Sequence, residues 1–159
     1  AEKLDPEVAM EFLGISVVFR TLVKGGVRLA WGEFARVLAI ADDDLSRMRE
    51  REMRCYLPDV LRTRGEALRG LGRTDEALAS LAEARSEAEQ QGSRRSLWPI
   101  LANLAELEEE RDNAAEAESL RREARGVIEY IADHADALGL REAFTSTPRV
   151  RAVLDATQG

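Results

Sequence analysis

Cysteine is almost missing from this chain. Cys55 stands alone, so no internal disulfide can form and no cysteine pair can chelate a metal, which suits a reducing compartment. Histidine is equally scarce, with His134 the single copy. Lying beside Asp133 and Asp136 near a helix end, it reads as a cation at a favourable dipole terminus and not as a metal ligand. There is no long hydrophobic run: Phe12 to Phe19 is broken by Gly14 and Ser16 and stopped by Arg20, far short of the ~20 residues that span a bilayer. Excess positive charge is absent too. The formal charge is −7, and a negative field repels phosphate backbones, which excludes direct nucleic-acid binding. Neither a Gly-x-x-x-x-Gly-Lys-Ser/Thr loop nor a Gly-x-Gly-x-x-Gly turn occurs. The opening Ala1-Glu2-Lys3 lacks Met, a basic leader and a cleavage pattern, and is expected to be cut from a longer, cytoplasmic polypeptide.

Strand signals are missing as well: β-branched runs are few, no Asn-Gly hairpin turn appears, and only 5% of residues are aromatic. Ala, Leu, Glu and Arg dominate instead, and these are strong helix formers. The fold class expected is all-α. One short phrase recurs every 40 residues: Gly32-Glu33-Phe34, Gly72-Arg73-Thr74 and Asp112-Asn113-Ala114 each place a turn residue before a polar helix start. Val37, Ala77 and Ala117 follow five positions on. Such self-similarity marks a stacked helical array, an architecture that builds gripping surfaces and seldom carries chemistry.

Apolar periodicity and punctuation predict the elements. A first helix runs from Pro6 toward Lys24, weakened or kinked at Gly25-Gly26, with a continuation over Val27 to Trp31. Others are expected over Glu33 to about Arg51, Asp59 to Leu71, Asp75 to Gln91 and Ser96 to Arg111, the last with Pro99 in its first turn. A long helix from Asp112 or Asn113 to about Asp133 precedes two short ones, Leu138 to Phe144 and one begun by Thr147-Pro148. The whole reads as one domain over 1–159, with hairpin units of about 6–51, 58–91 and 96–133 and capping helices over 138–157.

At Gly65, Leu68, Gly72, Ala77, Leu81 and Ala84 the middle unit resembles the tetratricopeptide repeat. Small residues there allow the two helices of a hairpin to approach closely. The third unit keeps Leu101, Leu104, Ala105, Ala117 and Ala124 with Asp112 at the turn, and the first unit has Asp44 in place of an alanine. The resemblance implies a right-handed α-α superhelix. The 40-residue period and the tail from Leu140 are similar to repeat regions C-terminal to ATPase modules in large bacterial regulators: maltose-regulator-like activators, nucleotide cyclases and kinase-linked ATPases. It therefore implies a non-catalytic scaffold, not an enzyme, that binds a protein or peptide or other domains of its parent chain and needs no cofactor. The alternative is a domain sensing a small effector between its helices.

In that family the first helices line the concave surface, which transfers to Asp59, Arg62, Glu66 and Arg69 in the middle unit and to Ala102, Asn103, Glu106 and Glu109 in the third. Arg62 and Arg69 are suited to a carboxylate or a phosphorylated segment, although pairing with Glu66 or Glu106 across neighbouring helices is the favoured assignment. Residues 47–73 hold eight Arg against four acids and 105–118 seven acids against one Arg. Solvated helix faces are the simpler explanation, a groove with two charged walls the functional one. Glu108-Glu109-Glu110 is read as an acidic helix end, and Trp31 and Trp98 are assigned to packing between hairpins. The first helix, by contrast, is apolar round more than one face, including Phe12, Phe19 and Leu22. A further repeat is expected to pack there in the parent protein, and the isolated chain to cover the surface by forming a homodimer through these residues.

Overall fold

The computed structural model describes residues 14–136 and 139–156, and these hold helices and turns with no strand. Helix α1 covers 14–30 without a break: its middle, Val18–Gly25, is π-helical and its end, Gly26–Ala30, is α-helical. There follow α2 (Phe34–Glu50), α3 (Leu57–Gly70), α4 (Thr74–Gln90), α5 (Arg94–Glu110), α6 (Ala114–Asp136), α7 (Arg141–Thr145) and α8 (Pro148–Asp155). Gly25-Gly26 does not break the first helix as expected. The backbone widens ahead of the glycines instead, and the chain stays helical to Ala30. α5 starts at Arg94, where Ser96 and Leu97 donate to the Ser93 carbonyl, so Pro99 lies in the second turn and not the first.

The 40-residue phrase has a common backbone cause. Gly32, Gly72 and Asp112 all take left-handed φ, at 75°, 71° and 60°. In each case the next N–H reaches the carbonyl five residues back: Glu33 to Arg28, Arg73 to Leu68, Asn113 to Glu108. That is the six-to-one bond of a Schellman helix end. The same closure occurs midway, at Glu52 and Gly92, so the turns from Gly32 to Asp112 fall every 20 residues. Glu52 went unseen in the sequence because Glu carries no left-handed preference.

The chain divides into two compact units, 1–87 and 88–159. In the first, Val37, Ala41, Leu45 and Met48 of α2 face Val60, Leu61, Ala67 and Leu68 of α3, with Ala77, Leu81 and Ala84 of α4 completing the core. Burying one Leu-sized side chain contributes about 1.5–3 kcal/mol. The α1 side of this unit is polar inside. Asp44 is fully buried, accepts the Thr21 hydroxyl at 2.5 Å and lies 3.3 Å from the Arg20 guanidinium. The residue that departs from the small-residue pattern is thus the anchor for the π-helical segment.

In the second unit α5 and α6 form an antiparallel pair through Ile100, Leu101, Leu104 and Leu107 against Ala117, Leu120, Ala124 and Ile128. Val150 and Val153 bury α8 in the same unit. Arg149 at its start donates to the Asn103 side chain, and Arg125 of α6 donates to the Leu154 carbonyl.

Candidate functional site

The outer side of α1 carries large apolar side chains in the open. Ile15 is 62% exposed, Phe19 54%, Val23 52%, Val27 46% and Trp31 73%. They recur every fourth residue, and the inward-facing Val17, Thr21 and Gly25 do the same on the opposite side. In an α-helix such a line drifts by about 40° per step, because four residues turn about 400°. A π-helix, with about 4.4 residues per turn, drifts the other way by about 33° per step. Eight π-helical residues within the span from Ile15 to Trp31 therefore cancel most of the drift. The π segment straightens both lines, joining Thr21 to Asp44 inside and aligning the stripe outside.

Beside the stripe lies a groove of about 610 Å³ between Gly14, Ile15, Val18, Phe19 and Val23 of α1 and Met53, Cys55 and Tyr56 of the α2–α3 connection. Cations run along one flank: Arg20, Lys24 and Arg28 each follow a stripe residue by one position. Lys24 sits 4.6 Å over the Phe19 ring. Arg20 bonds Asp43 at 2.7 Å, and Arg28 lies 3.3 Å from Glu33. The Arg20 hydrogen bond holds the Asp43 carboxyl below its ordinary value of 3.8. A carboxylate depressed on folding stabilises above its unfolded pKa and loses that contribution as pH falls through the folded one. We therefore expect Asp43→Asn to remove a small, salt-screened part of stability at neutral pH, and the difference from the wild type to vanish once pH falls below the depressed folded pKa of Asp43; parallel pH–melting curves for both proteins would contradict this.

The residues assigned from the sequence are distributed unevenly. Phe19 lies on the stripe, Leu22 is half-buried beside it, and Phe12 lies outside the described residues. Trp31 corrects the packing assignment: it caps α1 where the chain leaves for the Gly32 turn and is exposed. Trp98 is half-buried. Asp59, at 6% exposure, is buried, and Arg62 pairs with Glu66 at 2.7 Å one turn on within the same helix and not across to a neighbouring one. Arg69 is half-buried. In the second unit Asn103 is buried under Arg149, Glu109 pairs with Arg121, and Glu106 lines a hollow of about 190 Å³ with both arginines. Sequence reasoning missed Arg121 and Arg149 as partners; for Arg149 the reason is that a helix joined by an irregular connection carries no register signal.

The arginine-rich stretch is largely neutralised by its neighbours. Arg49 pairs with Glu83, Arg54 with Glu87, Arg64 with Asp42 and Arg73 with Glu76, at 2.6–2.8 Å. These pairs favour the solvated-face explanation over an open positive wall. Met53, Cys55 and Tyr56 were also missed, since a short connection has no periodicity to betray a groove. His134 stacks on Tyr130 with ring centroids 4.0 Å apart and its Nδ1 2.7 Å from the Tyr130 carbonyl oxygen. Glu108 is engaged by Arg111 and Asn113 at its helix end. Among the described residues no group of three metal-ligating side chains comes together, and no helix is long and apolar enough to cross a membrane. No protein-family model matches the chain, and neither does any curated protein or solved structure.

Proposed function

We propose that the chain is a non-catalytic protein-interaction module built from tetratricopeptide-like hairpins, a scaffold of the kind found in the regulatory repeat region of bacterial signalling or transcription-regulatory proteins. Its setting on this proposal is cytoplasmic, and its partners are proteins, peptides or other domains of its parent chain. The recurrence of left-handed turns and the close approach at Gly65 support the repeat assignment. One observation carries the function: five exposed apolar side chains aligned on a single helix face, Ile15 to Trp31. Continuous exposed apolar surface of that kind marks an interaction site. The first-helix residues of the concave assignment offer less, because Asp59 and Asn103 are buried and Arg62, Glu66 and Glu109 are engaged within their own units.

Phe19→Glu/Val23→Glu tests the proposal. Both side chains are more than half exposed, so helical content should not change. Proteins held by the immobilised wild type should be lost by this folded variant. The groove favours a second candidate, a small apolar effector, since about 610 Å³ falls within the usual range of ligand sites. A metabolite that raises the melting temperature of the wild type and not of Phe19→Glu, with protein retention identical in both, would replace the first proposal by the second.

A further inference from the structure

The docking face also constrains what docks there. Resting on the interaction proposal above, we propose that the outer stripe of α1 receives an amphipathic α-helix of a partner protein whose apolar face is flanked by carboxylates. The stripe runs straight over the 16 steps from Ile15 to Trp31, about 24 Å at the α-helical rise and somewhat less through the π segment, which suits a rod of similar length. An amphipathic helix laid in an apolar groove is a recurring mode of recognition.

Charge selects the flank. Residues 14–31 contain Arg20, Lys24 and Arg28 and no acid, in a chain whose formal charge is −7. Asp43 and Asp44 engage Arg20, with Arg47 also on Asp43, and Glu33 engages Arg28, with Arg36 also on Glu33. Lys24 falls between Arg20 and Arg28 in the sequence and lies over the Phe19 ring of the stripe. A carboxylate on the partner beside its apolar face would meet Lys24 at the edge of the contact, where charge governs selectivity and association rate.

The same rail disfavours a second copy. Two α1 helices paired antiparallel about Val23 place like flanks together, setting Lys24 against Lys24 and Arg20 against Arg28. Like charges there oppose pairing. An anionic membrane is disfavoured by the recessed wall of Met53, Cys55 and Tyr56, which a flat surface does not fill as a helix can.

Two synthetic helical peptides of about 18 residues decide the matter, each with Leu along one face and with flanks of Glu in one and Lys in the other. By fluorescence anisotropy on the whole chain, the Glu peptide should bind at least about tenfold more tightly, an advantage that shrinks with salt. Lys24→Glu, with circular dichroism confirming the fold, should erase or reverse that preference, and Val23→Glu should abolish binding of both peptides. Equal affinities would overturn the acidic-flank proposal while sparing the apolar docking face. Failure of both peptides on a chain that sediments as a monomer would overturn both. A dimer dissolved by Val23→Glu would make a second copy the occupant, and cosedimentation with phosphatidylserine vesicles lost in Val23→Glu would make it a membrane; either result overturns the partner helix.

Discussion

Ala77→Leu should lower the melting temperature by several degrees, and Gly65→Ala should lower it too, although alanine is the better helix former. The two positions lie where α3 and α4 approach closely. A Cβ on Gly65 would stand 2.8 Å from Cγ of Leu81, 3.0 Å from its Cδ2 and 3.4 Å from the Ala77 carbonyl oxygen. Leu81 is 1% exposed and Ala77 fully buried, so neither side can retreat into solvent. Overpacking a core of this kind costs about 1–3 kcal/mol. The propensity gain from replacing a helical glycine is about 1 kcal/mol, so the clash wins at Gly65. Each kcal/mol lost corresponds to roughly 2–4 °C for a chain of this size. Gly126 supplies the control: it lies within α6, is exposed, and a Cβ there meets nothing within 4 Å. Gly126→Ala should therefore raise the melting temperature. If Gly65→Ala raises it as well, α3 and α4 are further apart than this packing requires.

The second large effect is expected at Asp44, where alanine would restore the repeat pattern and still weaken the protein. Asp44→Ala strands the buried Thr21 hydroxyl and removes one of the two carboxylates that hold Arg20. An unsatisfied buried polar group costs about 1–3 kcal/mol, and breaking a buried ion pair about 3–5 kcal/mol. Arg20 keeps Asp43 and is a third exposed, which places the expected loss at about 2–4 kcal/mol. Thr21→Val alone should also destabilise, leaving Asp44 without its hydroxyl donor. The double variant should recover part of the sum, since removing both members of a buried polar pair is far milder than removing one. Chemical denaturation of the four proteins gives the coupling directly. Strict additivity would mean that Thr21 and Asp44 do not act as a pair.

Much of the fold was legible before any coordinate. The turn phrase at Gly32, Gly72 and Asp112 located three left-handed helix ends, because a residue that tolerates positive φ must end a helix that closes in this way. The apolar spacing of Val37, Ala41, Leu45 and Met48 placed α2 and its buried face, since a helical period projects one side chain in three or four onto the core. The candidate site was legible only in kind. Excess apolar residues round the first helix announced an uncovered face, and Phe19 proved to lie on it.

Composition and periodicity determined by themselves that the chain is all-α, where most of its helices turn, and which faces of α2 and α4 are buried, because each is written in the local pattern of the sequence. Tertiary structure alone decided which face of α1 stays open. Asp44, 23 positions beyond Thr21, pulls one side of the helix inward and holds it in a π register that local propensity does not specify. It also decided that Asn103 is covered by Arg149, 46 residues away, and that Met53, Cys55 and Tyr56 wall a groove. Those outcomes depend on which distant segments meet, and a periodic pattern carries no record of that.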